Sequence, residues 1–153
     1  MSKMSNVELF ELREQPTLTI RATVPAQGLP ELIAKSYARI GGYLAELGVG
    51  ICDVPFVIYY NMDVDALDVE IGFPVPSAQP GKGEIASSKI PAGKAASCIY
   101  RGPYAQIGPA YEDLEAWFAK QRCEPAGPFY EYYYNGPDSP EDELLTRVFM
   151  PLK

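Results

Sequence analysis

The stretch GPFYEYYYNGP, residues 127–137, sets one carboxylate, Glu131, among five aromatic side chains. A carboxylate beside aromatic rings is suited to capturing cations. The charge attracts a positive centre, and the π-faces hold flat apolar groups around it. A run this rich in aromatics reads as a buried or half-buried strand, where an unbalanced charge is costly. Glu131 therefore needs a partner from the protein, from water or from a visiting cation. On a strand, 129, 131, 133 and 135 share one face and 130, 132 and 134 the other. Both faces are aromatic, so alternation alone leaves open which one meets the core. The competing reading is a solvent-facing Glu on an edge strand, flanked by partly exposed tyrosines.

Other chemistry is narrowed by composition. The 153 residues contain no histidine, which removes His-dependent triads, Cys–His dyads and His metal sites. Acid–base work would fall to Glu, Asp, Tyr, Lys or Cys. Cys52, Cys98 and Cys123 lie far apart without a CxxC spacing, a pattern of packing thiols in a reducing compartment. The octet DVDALDVE (63–70) lacks the glycine of a calcium loop and has Leu67 at a ligand position, so it reads as a solvated hairpin tip. DSPEDE (138–143) reads as a charged loop, and PGKGE as linker without phosphate-loop spacing. No metal and no cofactor are expected. The net charge of −7, with dispersed basic residues, argues against direct DNA binding and suits cationic small molecules or a basic protein partner. No apolar run approaches the roughly 18–20 residues of a membrane helix, so a cytoplasmic, membrane-free location is expected.

The elements that must position Glu131 occur twice. SYARIGGYLAELGVGICDVPFVIYYN (36–61) lies over AYEDLEAWFAKQRCEPAGPFYEYYYN (110–135) at an offset of 74, which sets Tyr37 on Tyr111, Tyr43 on Trp117 and Tyr59 on Tyr133. Pro55 and Phe56 match Pro128 and Phe129 one residue earlier, and Pro74 falls on Pro151. In each half, alternating runs (9–23 and 85–100, broken at EQP and PAG) read as strands joined by turns. A helix of about 18 residues follows, with Ile33, Tyr37, Ile40, Leu44 and Leu47 on one stripe, and Ile107, Tyr111, Leu114 and Phe118 on the other. Pro30 opens the first helix and Gly48 ends it. Two more strands close each half. The expected class is α+β: strand–helix–strand–strand halves related by a pseudo-twofold, an antiparallel sheet, two long helices and a central aromatic cleft. The half-repeats are 5–76 and 84–153 of a single domain over 1–153, with 77–83 as linker.

These residues resemble a known family. IPAGKAASCIYRGPYAQIGPAYEDLEAWF, then GPFYEYYYNGP and a final FMPL, are similar to the GyrI-like small-molecule-binding domain, and the likeness covers both halves. That domain also forms the effector-binding part of BmrR-type and some AraC-type multidrug-sensing regulators. The most specific elements are Gly127-Pro128, Glu131-x-Tyr133 and Asn135-x-Pro137. The family often has Asn-Asp-Pro where this chain has NGP, and the first half has YYNMD; both differences fall at hairpin tips. The resemblance implies that Glu131 is the acid at the floor of an aromatic pocket facing lipophilic cations. By family position, Tyr133, Tyr59, Tyr37, Tyr111 and Trp117 stand near that cavity, and Phe149 closes it from the last strand. Tyr37 and Tyr111 lie on helix stripes and serve equally as core.

Three functions are then in play. The leading expectation is a polyspecific binder of lipophilic or aromatic cations, standing alone without a DNA-binding segment, for sequestration or effector sensing. An alternative implied by the family is hydrolysis of electrophilic cyclopropane-type genotoxins by Glu131 with Tyr133 or Tyr111. The other alternative is an acidic inhibitor of a DNA-handling enzyme such as gyrase.

Overall fold

The computed structural model describes residues 3–136 and 138–153, so Met1, Ser2 and Pro137 of the NGP turn lie outside the described residues. In chain order the elements are β1 (Lys3–Met4), β2 (Glu8–Leu12), β3 (Gln15–Val24), α1 (Leu29–Leu47), β4 (Phe56–Tyr59), β5 (Leu67–Pro74) and β6 (Ala86–Ile90). They continue with β7 (Gly93–Arg101), α2 (Gly108–Gln121), β8 (Phe129–Tyr133) and β9 (Leu145–Pro151). The class is α+β, and every strand pair in the two units described below is antiparallel. Among the described residues no helix is long and apolar enough to cross a membrane.

The chain packs as two compact units, Arg13–Ala92 and Met1–Leu12 with Gly93–Lys153. In Arg13–Ala92 the strands run in the order β4-β5-β3-β6, and Ile40 and Leu44 of α1 pack on Leu18, Ile20, Val75 and Ile85. In the other unit β7 pairs with β1 and β2 on one side and with β9 on the other, and β8 lies beyond β9. There Ala110, Leu114 and Phe118 of α2 pack on Ala96, Cys98, Tyr100 and Val148. Leu114 has no exposed surface, so its burial contributes roughly 1.5–3 kcal/mol. The helix stripes thus bury Ile40, Leu44, Leu114 and Phe118, as their spacing anticipates.

The sequence repeat is visible in fine detail. Gly48 and Arg122, 74 apart, both end their helices in the left-handed conformation, at φ 69° and 55°. Asn61 accepts from the Asp68 amide (3.0 Å) and donates to the Ala66 carbonyl (3.0 Å). Asn135, 74 residues on, does the same with Leu145 (2.8 Å) and Glu143 (2.8 Å). In each half this asparagine ties the end of one strand to the start of the next.

Two expectations need correction. The second helix has 14 residues, not about 18. Pro109 lies in its first turn and fixes the start, and the preceding Tyr104–Gln106 forms a separate 3-10 turn. The early strands joined by the EQP and PAG turns also do not pair with each other. Five residues of β2 pair with β7, while β6 pairs with β3. Each unit therefore includes a strand from outside its own half-repeat, which covers an edge that would otherwise lie open. Residues 77–83 lie wholly within Arg13–Ala92.

Candidate functional site

The face of Glu131 is settled by its partners. The residue is 8% exposed, and its carboxylate accepts hydrogen bonds from the phenols of Tyr133 (2.8 Å) and Tyr111. Tyr133 reaches it because residues two apart on a strand share a face. Tyr111 reaches it from α2, where it precedes buried Leu114 by three residues on the apolar stripe. The Tyr111 ring also meets Phe129 edge-on, with centroids 5.1 Å apart. Glu131 therefore faces α2, while Tyr130 and Tyr132 are buried on the opposite side of β8.

Tyr104 is a member of this site that the sequence reading missed. Its ring lies edge-on to Tyr133 at 5.5 Å, and it is 44% exposed. Burial, and then the charge of Glu131, raise its phenol above the ordinary value. It lies in the 3-10 turn before α2, where no periodicity marks a face. The motif RGPY around it was the available signal.

The other expected residues fall differently. Phe149 does not close the Glu131 side. It pairs with Tyr130 in register, so it shares Tyr130's face, and its ring packs edge-on against Tyr132 (5.3 Å) and Phe10 (5.4 Å). The residue opposite Glu131 is Val148; a one-residue step along a strand changes the face. Trp117 packs against the core under α2, edge-on to Phe118 at 5.4 Å. In Arg13–Ala92, the Tyr37 phenol donates to the Phe56 carbonyl (3.2 Å) and its ring tilts against Phe73 at 5.0 Å. The β4 positions matching Glu131, Val57 and Ile58, are apolar, so Tyr37 bonds to backbone where Tyr111 bonds to a carboxylate. Tyr59 ends β4 opposite Val69 and is half-buried.

A second buried carboxylate also escaped the sequence reading. Glu70, the last residue of the octet read as a solvated tip, is in β5 and 8% exposed. It accepts from Thr19 (2.7 Å) and Tyr60 (2.5 Å). The Arg21 guanidinium lies 3.7 Å from the Tyr60 ring centre and pairs through two nitrogens with Asp68. Its bond to Asp68 holds that carboxyl below its usual range. Cys98 is buried, and burial first, then the charge of Asp113, pushes its thiol up to about 11, leaving little thiolate at neutral pH. Among the described residues, no group of three or more His, Cys, Asp or Glu is placed to hold a metal ion.

The family model for the GyrI-like small-molecule-binding domain matches residues 5–153. The chain belongs to the GyrI-like family. It is a small-molecule-binding domain of that family, and solved structures share its fold. The C-terminal domain of EcmrR is 24% identical at a TM-score of 0.87, with 97% of each chain covered. EcmrR in a complex with DNA is 23% identical at 0.84; the match covers 97% of this chain and only 57% of EcmrR. A hydrolase from Listeria innocua is 12% identical at 0.70 (97% and 92% covered), and SAV2435, solved bound to tetraphenylphosphonium, is 14% identical at 0.63 (97% and 94% covered). At these identities the likeness is one of fold. A comparison with curated proteins found no match.

Proposed function

We propose that this GyrI-like domain binds lipophilic, aromatic cations of several shapes, for sequestration or for signalling to another protein. The observation that carries the reading is the buried Glu131 carboxylate, held by the phenols of Tyr111 and Tyr133, whose rings in turn meet Phe129 and Tyr104 edge-on. A cation about 4 Å from such a carboxylate gains roughly 4 kcal/mol at an effective dielectric of about 20, before desolvation. Each aromatic face against it adds roughly 0.5–2 kcal/mol. Neither contribution demands one ligand outline, which suits a polyspecific receptor. The tetraphenylphosphonium bound to SAV2435 is a ligand of this class on a related fold. The test is a titration of wild type and Glu131→Gln with a rhodamine-type cation and a neutral analogue of similar shape. The wild type should prefer the cation, and the variant should bind it about tenfold or more weakly. Equal binding of both dyes, or a variant unchanged toward the cation, would sink the reading.

A second reading, hydrolysis of electrophilic cyclopropanes, draws on the contact of the Tyr111 phenol with the Glu131 carboxylate. A carboxylate and a phenol in hydrogen-bond reach can activate water and protonate a departing oxygen. Turnover above the uncatalysed rate, lost in Glu131→Gln, would favour it; no turnover would remove it for that substrate class.

A further inference from the structure

Thr146, in β9, has no exposed surface, and its Oγ1 has no hydrogen-bond partner among the described residues. Buried hydroxyls are almost always paired, because an unpaired one loses its bonds to water and gains nothing in return. Thr19 shows the ordinary solution, donating to Glu70 at 2.7 Å. Among the described residues Thr146 has no such acceptor, and the strand register places it near Glu131. It is paired in register with Tyr133 of β8 and Tyr100 of β7. Residues paired in register share a face, so Thr146 is on the same side of the sheet as Glu131 and Tyr133. Glu131 pairs with Val148, two residues along from Thr146. That diagonal separates the two positions by about 7–8 Å, within the span of one small molecule.

We infer that Thr146 is a second polar contact of the Glu131 site, and that the cations it selects are protonated amines bearing an N–H. This rests on the cation reading of the same site. In the field of the Glu131 carboxylate, the threonine O–H dipole turns its proton toward the negative charge and presents its lone pairs to the ligand. A lone pair accepts from an N–H donor. A protonated amine thus satisfies the carboxylate by charge and the hydroxyl by a hydrogen bond. A quaternary onium of the same size satisfies only the first and leaves the hydroxyl buried and unpaired. Sites discriminate most strongly in this way, by leaving a buried polar group without its bond when the wrong ligand enters.

The test uses a matched pair of probes, protonated imipramine and its N-methyl quaternary derivative, which share rings and charge and differ in the N–H. Tetraphenylphosphonium serves as a third probe. The wild type should prefer imipramine to the quaternary form by about tenfold, the worth of one such hydrogen bond. The near-isosteric Thr146→Val should lose that preference by weakening imipramine alone, and Thr146→Ser should keep it. An ordered water as the true partner of Thr146 would leave the preference of Thr146→Val equal to that of wild type, and that result overturns the inference. So does equal weakening of all three probes. The absence of any preference in the wild type overturns it without recourse to a variant. If no probe binds the wild type, or Glu131→Gln binds all three as well as wild type does, the cation reading itself fails and takes this inference with it.

Discussion

At the scale of the residue, the phenols of Tyr111 and Tyr133 donate to the oxygens of the buried Glu131 carboxylate and stand in for the water its charge has lost. The same charge acts outward on Tyr104, whose phenol is raised first by burial and second by Glu131. The sign follows from which form the fold prefers. The neutral phenol is favoured in the folded state, so its contribution to stability is present below the ordinary value of about 10. It is lost as pH rises through the higher folded value. Glu131→Gln should therefore bring the Tyr104 titration, followed by NMR of its ring, back toward the ordinary value while the burial effect persists. An unchanged titration would mean that the two groups do not interact. The site was partly legible in the chain. Two-residue spacing joins Glu131 to Tyr133, and the helix stripe brings Tyr111 within reach. Tyr104 was hidden because a 3-10 turn has no face to read, and Glu70 because its donors are remote from its own strand, Thr19 in β3 and Tyr60 just past the end of β4. Phe149 was misplaced because register between β8 and β9 is a tertiary fact that a single strand does not carry.

Elements show why the repeat stays recognisable at low identity. The repeated YYN ends in an asparagine that substitutes for two backbone partners, once at Asn61 and again at Asn135. That motif is structural, although it lies beside the candidate site. Asn135→Ala should cost about 1–3 kcal/mol, two hydrogen bonds' worth, in urea unfolding. Its midpoint should fall without a change in relative affinity for cation and neutral dye. A stability equal to wild type would contradict the clamp. The helix ends follow the same repeat with different residues: Gly48 takes the left-handed cap at little cost, while Arg122 holds it against its own Cβ. A repeat search by residue identity passes over that pair, and the spacing of 74 finds it. The length of α2 was not legible, because Ile107 continues the apolar stripe yet lies just outside the helix.

For the molecule as a whole, the half-repeats and the packing units divide the chain differently. Met1–Leu12 packs with Gly93–Lys153, and β2 pairs with β7 through all five of its residues, with Phe10 against Phe149. Alternation marked both early runs as strands, but their partners are remote in sequence and no local pattern names them. Removing residues 1–12 should lower the urea midpoint reported by fluorescence of Trp117, the chain's single tryptophan, which packs in the same unit. An unchanged midpoint would mean that β2 contributes nothing to that unit.

A bound cation is seen most directly at the Glu131 carboxyl itself. With isotope-labelled glutamate, its NMR resonance can be assigned by its loss in Glu131→Gln. The predicted result is a saturating shift of that resonance as a rhodamine-type cation is added, tracking the dye's own fluorescence change, with exposed Glu141 unmoved. Saturable dye binding with the Glu131 resonance unchanged would contradict the assignment of Glu131 as the residue that meets the cation.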